Sequence, residues 1–240
     1  MAFPTRQTAD DKSGSVTVGT TSWTFTYPTN LVAGDLIIAI MGRPSTTGGN
    51  PTFPAGFVVA NSSLTRQLDF AKKLSDGTET GNFTVTISSN NTGGWIVFRI
   101  TGWGGTLGTT FDNTAGTCGD VARATSASGT STTPDPPSLD PASWGTEDTL
   151  WIASCMCAAA AGNPTAFPTS YSTGVRANGC GAADRQLNAS SEDPSTFSQA
   201  SSLSWLASTI GVKPITASPS DIIPFRTLTK GLVMRRPRRR

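Results

Sequence analysis

The chain has 240 residues, a formal net charge of +2 and only 14% charged side chains. That length allows one sizeable core or two small ones, and the abundance of Ser, Thr, Gly and Pro favours short strands joined by tight turns over long amphipathic helices, so an all-β protein is expected. The last seven residues, "MRRPRRR", carry +5 and the other 233 sum to −3, which excludes a broadly basic surface drawing affinity from many phosphate contacts.

The N-terminus lacks the charged region and apolar run of a secretory signal, and no stretch approaches the ~20 apolar residues of a membrane span, so synthesis in the cytoplasm and no membrane partner are expected. "SVTV" (15–18) and "SWTFTY" (22–27) read as strands, the second placing Trp23, Phe25 and Tyr27 on one face. "DLIIAIM" (35–41) is apolar at consecutive positions and is closed off by Pro and Gly, which predicts a strand covered on both faces in the middle of a sheet. "GFVVA" (56–60), "RQLDFAKKL" (66–74), "NFTVTI" (82–87) and "WIVFRIT" (95–101) follow as antiparallel strands, separated by turn-formers such as "SDGT" and "SSNNTGG". Residues 102–140 are rich in Gly, Thr, Ser and Pro and read as a long connection with one short strand near "DVARAT" (120–125). "DTLWIASCMCAAAA" (148–161) then repeats the character of the strand opening at Asp35.

That repetition extends to its surroundings. "GNPT" stands at 49–52 and at 162–165, a spacing of 113, and Asp35 and Asp148 open their strands at the same spacing. Each GNPT is followed by a Phe and a Pro (Phe53 and Pro54; Phe167 and Pro168), then by an acidic turn and a Trp-led apolar strand (from Trp95 and from Trp205). An internal duplication follows, with halves at about 15–101 and 120–213. Because a half of this size buries little alone, one sandwich spanning 1–213 is expected rather than two, with a jelly-roll-like antiparallel architecture and an extended basic arm at 214–240.

Chemistry is sparse. The chain has no histidine, which removes Ser-His-Asp and Cys-His arrangements and His-ligated metal. Cys155 and Cys157 alternate on a strand with thiols on one face about 7 Å apart along the backbone; with Cys118 and Cys180 they lack the ligand spacing of a zinc site and read as small buried hydrophobes. Asp69, Asp76, Glu79, Asp148, Glu192 and Asp193 are the carboxylates open to a glycosidase pairing, and most of them stand in turn-like stretches where solvated surface carboxylates are expected. No glycine cluster forms a phosphate-binding loop. No catalytic, metal or cofactor residue is expected. Trp23, Trp95, Trp151 and Trp205 read as core, while Trp103 and Trp144, flanked by glycine or turn residues, are the candidate glycan contacts.

The C-terminal arm is the strongest candidate for a partner. Prolines at 214, 219, 224 and 237 prevent a long helix, and two apolar groups, Ile222, Ile223 and Phe225, then Leu232, Val233 and Met234, precede Arg235, Arg236, Arg238, Arg239 and Arg240. Such a segment can add to a sheet edge of a neighbour and reach carboxylates or phosphates with its arginines.

"AGDLIIAI" (33–40), "PAGF" (54–57), "LSDGTETGNFTVT" (74–86), "TTPDPPSL" (132–139) and "TLWIASC" (149–155) together resemble the jelly-roll structural proteins of tailed bacteriophages found as head-decoration, head-fibre or tail-associated components. The resemblance covers most of 35–214, transfers no catalytic or ligand residue, and does not include the arginine arm. It implies a non-enzymatic, homo-oligomeric virion protein, foremost a capsid decoration or cement protein bound to the major capsid protein or other virion subunits. The alternatives are a tail-associated glycan-binding module and a capsid-forming jelly roll whose arm, the only nucleic-acid contact expected, faces the genome.

Overall fold

The computed structural model describes residues 2–45, 49–61, 66–158, 162–172 and 174–215. Among them there is no helix; twelve strands build two six-stranded sheets. The first sheet takes β1 (Thr5–Arg6), β2 (Lys12–Thr26), β3 (Leu36–Arg43), β4 (Val58–Ala60), β5 (Gln67–Leu74) and β6 (Asn82–Thr101) in the order β1-β6-β3-β5-β4, with β2 also on β6. The second takes β7 (Val121–Arg123), β8 (Ala127–Ser131), β9 (Glu147–Cys157), β10 (Val175–Ala177), β11 (Cys180–Ala189) and β12 (Leu203–Val212) in the order β7-β12-β9-β11-β10, with β8 also on β12.

The two orders are the same order. Each strand of one half has its counterpart in the other, and every pairing between named strands is antiparallel. The all-β sandwich is thus present, each sheet filled from one half of the chain. These pairings give the sandwich without spelling out jelly-roll wiring, since no strand leaves one sheet for the other.

Alternation explains how the sheets meet. Leu36, Ile38 and Ile40 of β3 join Phe70, Phe98, Leu150, Ile152, Met156, Leu206 and Ile210 in the cluster between the sheets, while Ile37, Ala39 and Met41 face outward into a second cluster. Every residue of β3 is buried, as its unbroken apolar run predicts. The outer face of β9 is covered likewise, by clusters holding Cys155, Phe197 and Trp205 and, further along, Trp151 and Leu139.

What covers the first outer face is the folded-over part of β2 and β6. Leu36 is flanked by Leu74 and by Ile100, so β5 and β6 end together. Were β6 straight, its start would lie about 60 Å from that end, whereas the seven residues 75–81 span at most ~25 Å. The first part of β6 therefore runs back over the sheet with β2 alongside it, and both strands bend where the β2 register shifts between Val16 and Ser22. The predicted "SSNNTGG" turn lies at this bend, but the ladder with β2 continues through it, so two expected strands form one. Gly93 (φ +146) permits the fold: a Cβ there would stand 2.0 Å from Gly42 O and 2.9 Å from the Trp23 ring.

The second half repeats the device in another material. Residues 132–139 lie along 192–199, held by Gln199 N–H to Thr132 O (2.8 Å), Phe197 N–H to Pro134 O (2.8 Å) and reciprocal bonds between Leu139 and Glu192. Pro134, Pro136 and Pro137 remove the donors a ladder needs, so no named strand forms there. The proline-rich stretch is therefore the cover of the second sheet, and β8 is a strand that the sequence reading left inside a connection.

Candidate functional site

Two clefts adjoin at the seam where the β1–β2 edge of the first sheet meets β10 and β11 of the second. One, of about 530 Å³, is lined by Arg6, Thr8, Asp11, Ser13, Ser172, Gly174 and Val175. The other, of about 410 Å³, is lined by Ser170, Tyr171, Ser172, Asp184, Arg185 and Gln186. Ser172 belongs to both walls.

Arg6 organises the seam. It lies at the end of β1, whose pairing with Ile100 fixes its position over the Phe98 ring, 4.5 Å from the centroid. Its Nε–H donates to Asp11 Oδ2 at 2.9 Å and its Nη1–H to Asp184 Oδ1, across the two sheets. Asp184 also accepts from the Ser172 hydroxyl at 2.5 Å, and Gln186 donates to Pro4 O at 2.9 Å, a second tie between the same strands. One guanidinium thus serves two carboxylates. Asp11 has a side chain only 8% exposed, and among the described residues its Oδ1 has no hydrogen-bond donor. Burial pushes the Asp11 carboxyl up to about 6 against the pull of Arg6, with Asp184 and Asp10 adding to the rise. Chemically the cleft offers the hydroxyls of Thr8, Ser13 and Ser172 beside the Arg6–Asp11 ion pair, while the Asp11 Oδ1 that lacks a donor is closed off from solvent.

A counterpart crosses the sandwich from the other half. Arg123 of β7 lies 5.2 Å from the Phe70 ring centroid, bonds Asp112 at 3.1 Å and is drawn by the charge of Asp69. Beside it, fully buried Lys72 donates to Cys118 O (2.9 Å) and Val121 O (3.4 Å), and burial pulls its ammonium down to about 8. Each half's first strand therefore throws an arginine onto the opposite sheet.

The residues singled out from sequence fall elsewhere. Ile222, Ile223, Phe225, Leu232, Val233, Met234 and the five terminal arginines lie outside the described residues. The expected exposure of Trp103 is corrected: it is 4% exposed, packs in the inter-sheet cluster and donates its indole N–H to Gly34 O at 2.8 Å. Trp144 is half-buried against the cluster that holds Trp151. Two of the six carboxylates are buried, Asp69 of β5 against Arg43 at 2.7 Å and Glu192, bridged to Leu139, against Arg185 at 3.0 Å. Trp23, Trp95, Trp151 and Trp205 are core, and all four cysteines are free and buried. The Cys155 and Cys157 sulfurs converge to 4.0 Å, closer than the backbone repeat, since both side chains lean into one cluster.

Arg6, Asp11 and Asp184 escaped the sequence reading because 178 residues separate the arginine from its cross-sheet partner. The available signals were the acidic pair in "TADDK" and the lone charges inside the alanine-rich "CGAADRQL". Comparison of the chain with family models, with curated proteins and with solved structures finds no match in any of the three.

Proposed function

We propose that this chain is a non-enzymatic structural protein of a bacteriophage virion, a capsid decoration protein that fastens to the head shell or to sister subunits through its basic C-terminal segment. The observation that carries the reading is the division of charge between a sandwich and its tail. Beyond Ile215 the chain holds seven basic residues and one acidic, a net of +6, which leaves the rest, eleven basic and fifteen acidic, at −4. Charges within the sandwich are largely engaged with each other, as in Arg43–Asp69, Arg99 with Asp10 and Asp35, and Arg6 with Asp11 and Asp184. The concentrated positive charge is in the tail, where guanidinium groups can make paired contacts with carboxylates of a shell protein. A second contact made through a tether raises the effective concentration of the first, the physical advantage of an arm on a cement protein.

The test is antibody labelling of intact and gently disrupted particles by electron microscopy. Label over the whole intact head is expected. Label confined to the tail replaces decoration by host recognition, and label appearing only after disruption replaces it by a genome-facing arm, whose phosphate binding would weaken steeply with salt. Absence of label on every particle overturns the virion assignment. Burial of Trp103 leaves Trp144 as the only one of the two suggested tryptophans with an accessible face, so the glycan reading rests on a single half-buried ring.

A further inference from the structure

We propose that the open edge of the cover ribbon, residues 22–26 of β2, docks a second copy of this chain, whose own residues 22–26 pair with it antiparallel across a two-fold axis at Thr24. The inference goes beyond the virion reading and does not depend on it: it names the surface through which two copies meet.

The ladder shows which backbone groups the edge presents. Thr86 N–H donates to Thr52 O at 3.1 Å and Thr86 O accepts from Thr52 N–H at 2.8 Å, so both groups point away from β2. Ser22 lies opposite Thr86, and in an antiparallel ladder a pair that exchanges no bonds turns its N–H and C=O outward. Alternation carries this to Thr24 opposite Thr84 and to Thr26 opposite Asn82, and Tyr27 N–H on Gly81 O at 2.9 Å fixes the same phase from the other end. Trp23 and Phe25 between them are buried beneath the ribbon, while Ser22 and Thr24 are exposed. Ser22 N–H meets the Thr20 hydroxyl at 3.3 Å, and among the described residues no strand other than β6 pairs with β2.

The second half closes the same edge. There residues 132–139 lie along 192–199, and Ser198 bonds back to Ala166 as Thr86 does to Thr52. That outer edge carries Pro136 and Pro137, which have no N–H, and the exposed charge of Asp135. The edges at β4 and β10 are three residues long, and β10 exposes Arg176. Residues 13–34, by contrast, hold no charged side chain, and up to Tyr27 no proline. An unguarded edge takes an extended backbone, and this one is complementary to its own copy. With Ser22 on Thr26, Thr24 on Thr24 and Thr26 on Ser22, each outward N–H of one copy meets an outward C=O of the other about a two-fold. On the exposed face the two Thr24 side chains stand together and Ser22 meets Thr26, polar cross-strand pairs that suit such a contact. Because neither ribbon is charged, the copies meet without like-charge repulsion.

The experiment is light scattering of the full chain from about 1 to 100 μM, the range in which a small interface dissociates, with amide exchange of residues 20–27 at both ends of that range. Wild type is expected to pass from the mass of one chain to that of two. The amides of Thr24 and Thr26 are expected to exchange about fivefold more slowly at the higher concentration, while those of Trp23 and Phe25, already bonded to β6, change little. Thr24→Lys and Thr24→Glu each set like charges face to face on the axis and are expected to stay monomeric. An equimolar mixture of the two is expected to regain the dimer, a rescue that a folding defect does not give. Monomeric wild type at every concentration overturns the inference; if Thr24→Pro then loses head label, the edge belongs to a strand of a shell protein. A wild-type dimer that both charged variants leave as tight overturns it in favour of another surface, and a mixture that fails to dimerise overturns it as well. Dimerisation with no particle label keeps the edge and removes the proposed function; head label with a monomeric chain does the reverse.

Discussion

The two halves share one strand order but cover their outer faces with different materials. In the first, Phe25, Phe53, Phe83 and Trp95 form an aromatic stack on a hydrogen-bonded ribbon, with Phe25 parallel to Trp95 at 4.8 Å and edge-on to Phe53 at 5.9 Å. In the second, a proline-laced strip does the covering, and a single edge-on pair, Phe167 with Phe197 at 6.0 Å, takes the place of the stack. The lesson is that a duplicated sheet conserves what the pairing geometry demands, and leaves free how the exposed apolar back is sealed. One close contact is kept in both: Gly14 opposite Trp95 and Gly129 opposite Trp205, where a Cβ would stand 2.4 and 2.5 Å from the ring. A bridge at the end of each GNPT is also kept, Thr52 with Thr86 and, one residue past the motif, Ala166 with Ser198.

The comparison can be broken hardest at the seam, where the halves touch. A Cβ on Gly94 would fall 1.6 Å from Ala177 O, backbone against backbone, so Gly94→Ala is expected to cost more than about 4 kcal/mol and to yield little folded protein by circular dichroism. Next comes the aromatic cover: Phe25→Ala should lose about 4 kcal/mol in urea unfolding, and Phe197→Ala about 3, since Phe25 gives up three ring contacts and Phe197 one. Equal losses would show that the stack adds nothing beyond buried area.

A charge-based contrast follows. Asp69, in the first sheet, is pushed up to about 6 by burial although Arg43 pulls the other way, and the aligned position of the second sheet, Ala182, carries no charge. The folded state holds this proton to about pH 6 while the unfolded chain releases it near pH 4, so the folded state binds more protons in between and stability falls as pH rises from about 4 to 6. The contribution is about 3 kcal/mol. Asp11 should add a fall in the same window, and Glu79, held down to about 2 in spite of burial by bonds from Ser75 and Lys73, an opposite gain between about pH 2 and 4.5. Unfolding free energy measured from pH 4 to 7 in wild type and Asp69→Asn checks the sign: the variant should lose part of the downward slope. The smallest effect should be shared: Gly14→Ala and Gly129→Ala are each expected to cost about 1–3 kcal/mol and to match within about 0.5 kcal/mol. A clear mismatch would mean the two Gly–Trp pairs are not equivalent.

Much of this fold was readable from local pattern. The apolar runs at Asp35 and Asp148 predicted strands buried on both faces, and the repeated GNPT predicted two alike halves. The bend at "SSNNTGG" was legible as a break, but not that β2 bends with it and keeps the ladder whole. The strip at 132–139 read as a connection because prolines cancel strand signals, while its partner, 192–199, lies some 60 residues away. The candidate site was the least legible part, because it is built from single polar residues with no local period.

Period, composition and charge count by themselves determined an all-β chain, its duplication, its core tryptophans at 23, 95, 151 and 205, and the gathering of positive charge beyond Ile215, because each is a property of neighbours in sequence. The tertiary structure alone decided that the halves meet face to face, that Trp103 is sealed while Asp11 is left short of a donor, and that Arg6 reaches Asp184. Those outcomes depend on which distant backbones approach one another, and burial and hydrogen-bond satisfaction are settled only when they do.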